Sequence, residues 1–307
     1  MSRQGATAPR RKRPASAAAF RALIEAGPDE PPAAPPGFAL HPGDVLIASY
    51  PKCGTTWLQQ IVHGLRSGGA MDFEEISLVV PWIETAPMLG IDLNAPQVAA
   101  PRAFKTHLPW HRLPRGGRNL FIIRDPRDAL VSSYRFMRGV MFEPDTVDIA
   151  ALADAYFLRE SAAGRYWDHL RAWWPARGRE DVLLLCYEDL QDDLRGAVAR
   201  IATFCGIAAD AALIDLATRQ AGLAFMRAHQ AQFDDQPTLT AFMDLLGLPP
   251  ARATKVGAGR AGEGRLALPP PVLERLAQRW REDIAAPLGL ASYQDLRQAL
   301  RSEAPAA

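Results

Sequence analysis

An α/β fold in one domain, with a central parallel sheet flanked by helices, is predicted by three observations. The runs Val45–Ala48, Asn119–Arg124 (NLFIIR) and Val182–Tyr187 (VLLLCY) are apolar almost throughout, as strands buried on both faces are. Each precedes a segment whose apolar residues recur at helical spacing, so strand and helix alternate along the chain. With 307 residues, 48 % of them hydrophobic, there is ample material for one sizeable core. The predicted organisation is a basic, Pro- and Ala-rich tail over 1–36, a domain over 37–298, and a short tail over 299–307.

Charge and cysteine content narrow the functional classes. Lys plus Arg number 35 against 34 Asp plus Glu, a formal net charge of +1, which is not the basic field of a nucleic-acid binder. Any anion site must therefore be local. Cys53, Cys186 and Cys205 form no C-x-x-C pair and no metal-ligand spacing with the six histidines, which fits a reducing cytoplasm and no metal. No apolar run approaches the ~18 residues a membrane helix needs, and no apolar stretch follows the N-terminal charges. A cytoplasmic protein is expected.

Taken in order, residues 1–43 carry the cluster Arg10, Arg11, Lys12 and Arg13 and a series of prolines from Pro28 to Pro42. Such composition reads as largely disordered, a solvated tail rather than a nucleic-acid or membrane arm, with one helical turn at Phe20–Ile24 packing on the body. The stretch DVLIASYPKCGTTW (44–57) reads as strand, turn and helix. From Trp57 the residues Leu58, Ile61, Val62 and Leu65 follow helical spacing, which puts Thr55 and Thr56 in the first turn. Free N–H groups and the positive end of the helix dipole make that turn an anion site; Lys52 adds a charge and the threonines add hydroxyls. The loop is not a Walker A sequence, because Lys52 precedes Gly54 instead of following the last glycine.

Gly68–Ala100 has no sustained period and reads as a long loop with short helical pieces, a candidate wall or lid. Ala103–Pro109 (AFKTHLP) is a short strand that delivers Lys105 and His107 to its end. Arg124 ends the next strand; Asp125 and Pro126 supply a helix cap and its first residue, and Ser132 lies two turns along. The carboxyl edge of such a sheet is where ligands bind. The other reading of Arg124 is a salt bridge to Asp125 or Asp128. Tyr166, Trp167, Trp173 and Trp174 read as core, and Asp193–Cys205, Ala208–Arg219, Leu223–His229, Thr238–Leu246 and Pro271–Trp280 as helices. Lys255–Arg265 (KVGAGRAGEGR) packs glycines and cations as an anion-wrapping backbone does, though a flexible linker would share that composition.

Together, Tyr50-Pro51-Lys52-Cys53-Gly54-Thr55-Thr56-Trp57, Lys105-Thr106-His107-Leu108-Pro109, Arg124-Asp125-Pro126-Arg127-Asp128 with Ser132, and Tyr187-Glu188-Asp189-Leu190 resemble the cytosolic-type sulfotransferase family, in order from about residue 37 to 285. The resemblance implies a P-loop-like nucleotide-binding architecture and 3′-phosphoadenosine 5′-phosphosulfate (PAPS) as sulfonate donor, leaving adenosine 3′,5′-bisphosphate (PAP), with no metal required. It also implies roles. Lys52, Gly54, Thr55 and Thr56 hold the 5′-phosphosulfate with the Cys53 backbone, Trp57 and Tyr187 flank the adenine, and Arg124 and Ser132 bind the 3′-phosphate. His107 is the general base, and Lys105 and Lys52 neutralise the transferring group.

Some positions depart from the family pattern. Cys53 stands where serine is commoner, Ala221-Gly222-Leu223 replaces Thr-Ser-Phe, and the late RKGxxGDW signature is met only by Gly259, Gly262 and Glu263, with Gly257 in place of arginine. Lys255 or Arg260 is then the expected 3′-phosphate cation. Pro269-Pro270 ahead of Glu274 replaces the family's dimer segment, leaving monomer or homodimer. The expected reaction is in-line sulfonate transfer to a hydroxyl of a small, hydrophobic acceptor, such as a phenol, alcohol, lipid or natural product, walled by Gly68–Ala100, Phe136–Pro144 and Gln230–Pro250. The alternatives are a nucleotide-binding protein without turnover and an ATP-dependent small-molecule kinase.

Overall fold

The computed structural model describes residues 10–26, 33–159, 164–257 and 261–303. Its centre is a sheet of β1 (Val45–Ser49), β2 (Ala103–Thr106), β3 (Arg118–Ile123) and β4 (Val182–Cys186), in the order β2-β1-β3-β4. All neighbours run parallel, with Val45 opposite both Ala103 and Arg118 and Ile123 opposite Cys186. β1 therefore has the next two strands on either side of it, and the crevice at such a reversal opens at the carboxyl ends of the strands.

The apolar strands are apolar because each face is covered. Leu46, Ala48, Phe104, Phe121, Ile123 and Leu184 face one core, with Tyr166, Trp167, Trp173, Leu276 and Leu296. Val45, Ile47, Ala103, Leu120, Ile122 and Leu185 face the other, with Leu58, Ile61, Val62, Val198, Ile201 and Ala217. The period of two along each strand thus divides one sequence run between two layers. Trp167 and Trp173 are fully buried, and Trp173 stacks on Phe121 at 4.5 Å between centroids. The helix Thr55–Arg66 lies on the second face and the helix Pro126–Val140 continues from β3.

The N-terminal stretch differs from expectation between residues 10 and 26. Ala17–Glu25 is a helix whose cap Ser16 accepts a hydrogen bond from the Ala19 N–H at 3.1 Å. Phe20 is fully buried, 4.7 Å from the Phe142 ring. Arg10 and Arg13 donate to the carbonyls of Leu248 and Pro250 at 2.7 and 2.8 Å. One aromatic anchor of ~1.5–3 kcal/mol and backbone partners for the basic residues explain why this part folds despite its composition. Residues 1–9 and 27–32, included in the same expectation, lie outside the described residues.

At the other end the helix Tyr293–Glu303 runs past the expected boundary at 299. Its Leu296 and Leu300 are buried, and Arg297 and Arg301 both pair with Asp189. No helix among the described residues is long and apolar enough to cross a membrane.

Candidate active site

The turn after β1 is built from two residues in the left-handed region, Lys52 at φ 69° and Gly54 at φ 115°. A Cβ on Gly54 would lie 2.9 Å from Cδ2 of Tyr187 and 3.0 Å from Cδ1 of Ile122. Glycine is thus required by conformation and by space. The turn reverses the chain so that the first N–H groups of the helix Thr55–Arg66 open onto the sheet edge.

The two threonines divide their labour. Ser49 Oγ donates to the Tyr50 carbonyl at 2.7 Å and lies 2.7 Å from Thr55 Oγ. Serine has one hydroxyl proton, so Thr55 is the donor in that pair. Its side chain pins the turn, so the Thr55 hydroxyl expected to meet the anion already has a partner in Ser49. Thr56 is half-buried. The Cys53 thiol is buried, and that burial pushes it up to about 12, leaving an inert thiol inside the turn.

Lys52 reaches over the Phe136 ring, its Nζ 4.3 Å from the centroid. Burial, then the charges of Lys105 and Arg124, lower it to about 7. Lys105, at the end of β2, is 2 % exposed, with Nζ 2.5 Å from Oδ2 of Asp235 and 4.3 Å from the Trp82 ring centroid. Burial brings it down to about 8.

His107, just past β2, is locked in one tautomer. Its Nδ1 lies 2.8 Å from the carbonyl oxygen of Ser49; a carbonyl only accepts, so Nδ1 carries the proton. Its own N–H donates to Oε1 of Glu84 at 2.7 Å, and its ring meets Trp82 edge-on at 5.0 Å. Burial, followed by the Lys105 charge, holds the imidazole well below its ordinary value. The ring is neutral, with its lone pair on Nε2.

Arg124 has no carboxylate partner among the described residues. Asp125 is taken by Arg127, which binds it through Nε at 2.8 Å, and Asp128 accepts the N–H groups of Gly262 and Gly264, both at 2.7 Å. The salt-bridge alternative for Arg124 is thereby removed. Its guanidinium lies 4.3 Å from the Tyr187 ring centroid, one nitrogen reaches the Lys52 carbonyl at 3.4 Å, and its buried Nε has no partner. Tyr187 in turn meets Trp57 at 5.0 Å, and the Trp57 indole N–H donates to the Ala221 carbonyl at 2.8 Å. Arg124, Tyr187 and Trp57 form a row along the sheet edge. Ser132 is half-buried on the helix after β3.

The rest of the YED sequence is structural. Glu188 accepts from the Asp125 N–H at 3.1 Å and from the Tyr293 hydroxyl, tying the end of β4 to the turn after β3. Gly259 and Arg260 lie outside the described residues. Lys255 is described, and its amine contacts Asp235; its charged neighbours are Lys105, Lys52 and Glu75.

Sequence reasoning put Glu84, Phe136 and Asp235 within the expected acceptor walls but missed their contacts with His107, Lys52 and Lys105, and it missed the clamp of Asp128 on Gly262 and Gly264. A Cβ on Gly264 would fall 2.5 Å from the Arg127 carbonyl carbon, so the glycine spacing of the late segment was the available signal for that clamp. Nothing local marks Asp235 as the partner of a lysine 130 residues away.

Residues 42–241 match the model of the sulfotransferase domain, most of the chain. The chain belongs to the sulfotransferase family. Sulfotransferase 1C2 of Oryctolagus cuniculus is 30 % identical over 189 residues, 58 % of this chain and 64 % of that protein. Sulfotransferase 1A1 of Rattus norvegicus is 31 % identical over 179 residues, 55 % of this chain and 62 % of the relative. The match thus spans somewhat under two thirds of each of these relatives. In structure the chain resembles retinol dehydratase in complex with androsterone and inactive cofactor PAP (TM-score 0.66, 22 % identity, 83 % of this chain and 84 % of that one). It also resembles mouse sulfotransferase SULT7A1 complexed with PAP (TM-score 0.63, 21 % identity, 86 % and 89 %). These likenesses place the α/β fold of the chain among theirs.

Proposed function

We propose that this sulfotransferase moves the sulfonate of PAPS to the hydroxyl of a small hydrophobic acceptor, with His107 as general base. The observation that carries the reading is the convergence of Lys52, Lys105 and Arg124 on the turn after β1, beside an imidazole whose Nδ1 proton is fixed. The orphaned buried Nε of Arg124 fits a doubly charged phosphate, and the Arg124–Tyr187–Trp57 row fits a purine attached to it.

When bound, the donor supplies an activated sulfonate. The protein's own groups do the rest. The turn at Lys52–Gly54 and the first N–H groups of the following helix hold the 5′ end; Arg124 and Ser132 hold the 3′-phosphate. Nε2 of His107 takes the acceptor proton, and the burial that keeps the ring neutral favours release of that proton afterwards. Lys52 and Lys105 act as charges already oriented where negative charge grows, in a site shielded from water. Phe136 against Lys52, and Trp82 between His107 and Phe242, give the acceptor side its apolar character. PAP-bound retinol dehydratase holds androsterone in one structure and retinol in another, acceptors of matching character.

PAP should raise the melting temperature of the protein, and radiolabelled PAPS should label members of a phenol and alcohol panel. His107→Ala should keep the PAP shift and lose transfer by about 10²–10⁴-fold. Unchanged turnover at saturating acceptor would remove the base assignment. A PAP shift with no transfer to any acceptor would turn the reading to a nucleotide-binding protein, and no shift at millimolar PAP would discard it.

A further inference from the structure

We infer that Asp235 and Lys255 are positioning residues for Lys105, so that the segment from residue 234 to 255 sets the charge at the sulfonate end of the donor site. The inference rests on the donor assignment above and deepens it.

Three stretches far apart in sequence meet on one carboxylate. Lys105 comes from β2, and its Nζ lies 2.5 Å from Oδ2 of Asp235; the Lys255 amine contacts the same oxygen, and the Ser77 hydroxyl donates to Oδ1. Asp235 and Lys105 are 3 % and 2 % exposed at the side chain, and Lys255 is 14 % exposed. Asp235 adopts φ 52°, the left-handed region, at the start of the helix Gln236–Leu245. The Lys255 N–H donates to Oδ1 of Asp234 at 2.9 Å, which joins the two ends of the segment directly. Non-glycine residues enter the left-handed region at a cost, and here the buried ionic contacts hold the residue there.

The chemistry follows from the count of charges. Two amines share one carboxylate; burial, then the charges of Lys105 and Lys52, lower Lys255 well below an ordinary lysine, so the positive charge of the pair rests on Lys105. Lys105 also faces Glu84 and Glu75, both of which favour its charged form, while Lys52 lies on the far side of the turn and His107 stands neutral beside β2. A four-carbon stem is otherwise free to rotate, and fixing it before the donor arrives removes that entropy from the reaction. Lys255 belongs to this end of the site. Its amine contacts Asp235, and its charged neighbours include Lys105, Lys52 and Glu75. On this inference Lys255 acts on Lys105, where a role on the 3′-phosphate was expected.

The test uses the full chain with D235N, K255M and K255R, comparing PAP with adenosine 5′-monophosphate, which lacks the 3′-phosphate, and following kcat against pH. D235N should lower kcat at pH 7 by about 10–100-fold, as misplacement of a catalytic charge does. It should also move the alkaline limb of kcat down by roughly one unit, because Lys105 loses its counter-charge. K255M should lower kcat by about tenfold while leaving the ratio of PAP to 5′-monophosphate affinity within about twofold, and K255R should restore most of the rate. An unmoved alkaline limb with unchanged kcat in D235N would overturn the inference. So would a K255M protein that loses its preference for PAP, which would return Lys255 to the 3′-phosphate. Should D235N fail to fold, the K255M and K255R results decide alone. A wild-type protein without PAP affinity would instead sink the donor assignment itself.

Discussion

The two sides of the site are built differently. On the donor side, Lys52, Gly54, Arg124 and Tyr187 stand within a few residues of the carboxyl ends of β1, β3 and β4, adjacent strands whose register fixes their spacing. On the cap side, Ser77, Trp82, Glu84, Phe136, Asp235 and Lys255 come from separate loops and helices and meet through side chains. A turn held by strand register, the cradle proposed for the anion, thus faces a wall of loops, the arrangement that lets one scaffold keep its chemistry while its partner site varies. The N-terminal stretch from Arg10 to Glu25 belongs to the cap side as well. It bridges the helix Gln236–Leu245 and its exit to the loop after Val140, through Arg10, Arg11, Arg13 and Pro14.

The largest effect should come from breaking the cradle itself. Lys52→Ala should reduce kcat/KM for PAPS by about 10²–10³-fold, the usual loss when one preorganised charge or donor is removed from a water-shielded site. Steady-state transfer assays would show it, and a loss below tenfold would mean that Lys105 alone supplies the charge. Next comes the join between the sides. Gly264→Ala places a methyl group 2.5 Å from the Arg127 carbonyl carbon and should cost about 1–3 kcal/mol as overpacking does. Thermal denaturation should report the lowered stability and calorimetry a PAP affinity weakened by about tenfold, since the Asp128 clamp sits one turn before Ser132; both unchanged would separate the late segment from the nucleotide. The smallest effect should fall on the cap. Phe242→Ala, next to Trp82, should raise KM for the acceptor about fivefold, as the loss of ~1 kcal/mol of apolar contact does. PAP affinity should stay the same, and an acceptor KM left unchanged would move the acceptor wall elsewhere.

Legibility followed the same division. The donor side was readable because a buried strand, a turn and a helix start lie contiguous in sequence, and their residue types state their chemistry: Lys52 and Gly54 in a turn, Arg124 at a strand end, Asp125-Pro126 at a helix start. The four strands, the core tryptophans and the helix after β3 were read to within a few residues. The Thr55 hydroxyl was expected to meet the anion, and its partner Ser49 was not visible from spacing. In the tail the helical turn expected at Phe20–Ile24 was found within the helix Ala17–Glu25, with Phe20 buried; the backbone partners of Arg10 and Arg13 were not legible in the composition.

By itself, then, the sequence determined the alternating α/β order, the anion turn, and the presence of His107, Lys105 and Arg124 at strand ends. Those features depend on neighbours within a turn or a strand. Tertiary structure decided which charges remain available for a ligand. Asp125 went to Arg127, Asp128 to the backbone of Gly262 and Gly264, and Asp235 to Lys105 and Lys255. Among the described residues Arg124 kept no carboxylate because of the first two, and Lys255 was drawn to Asp235 by the third. Ionic pairing is decided by distance and burial in space, and a buried charge must find a partner wherever the chain brings one.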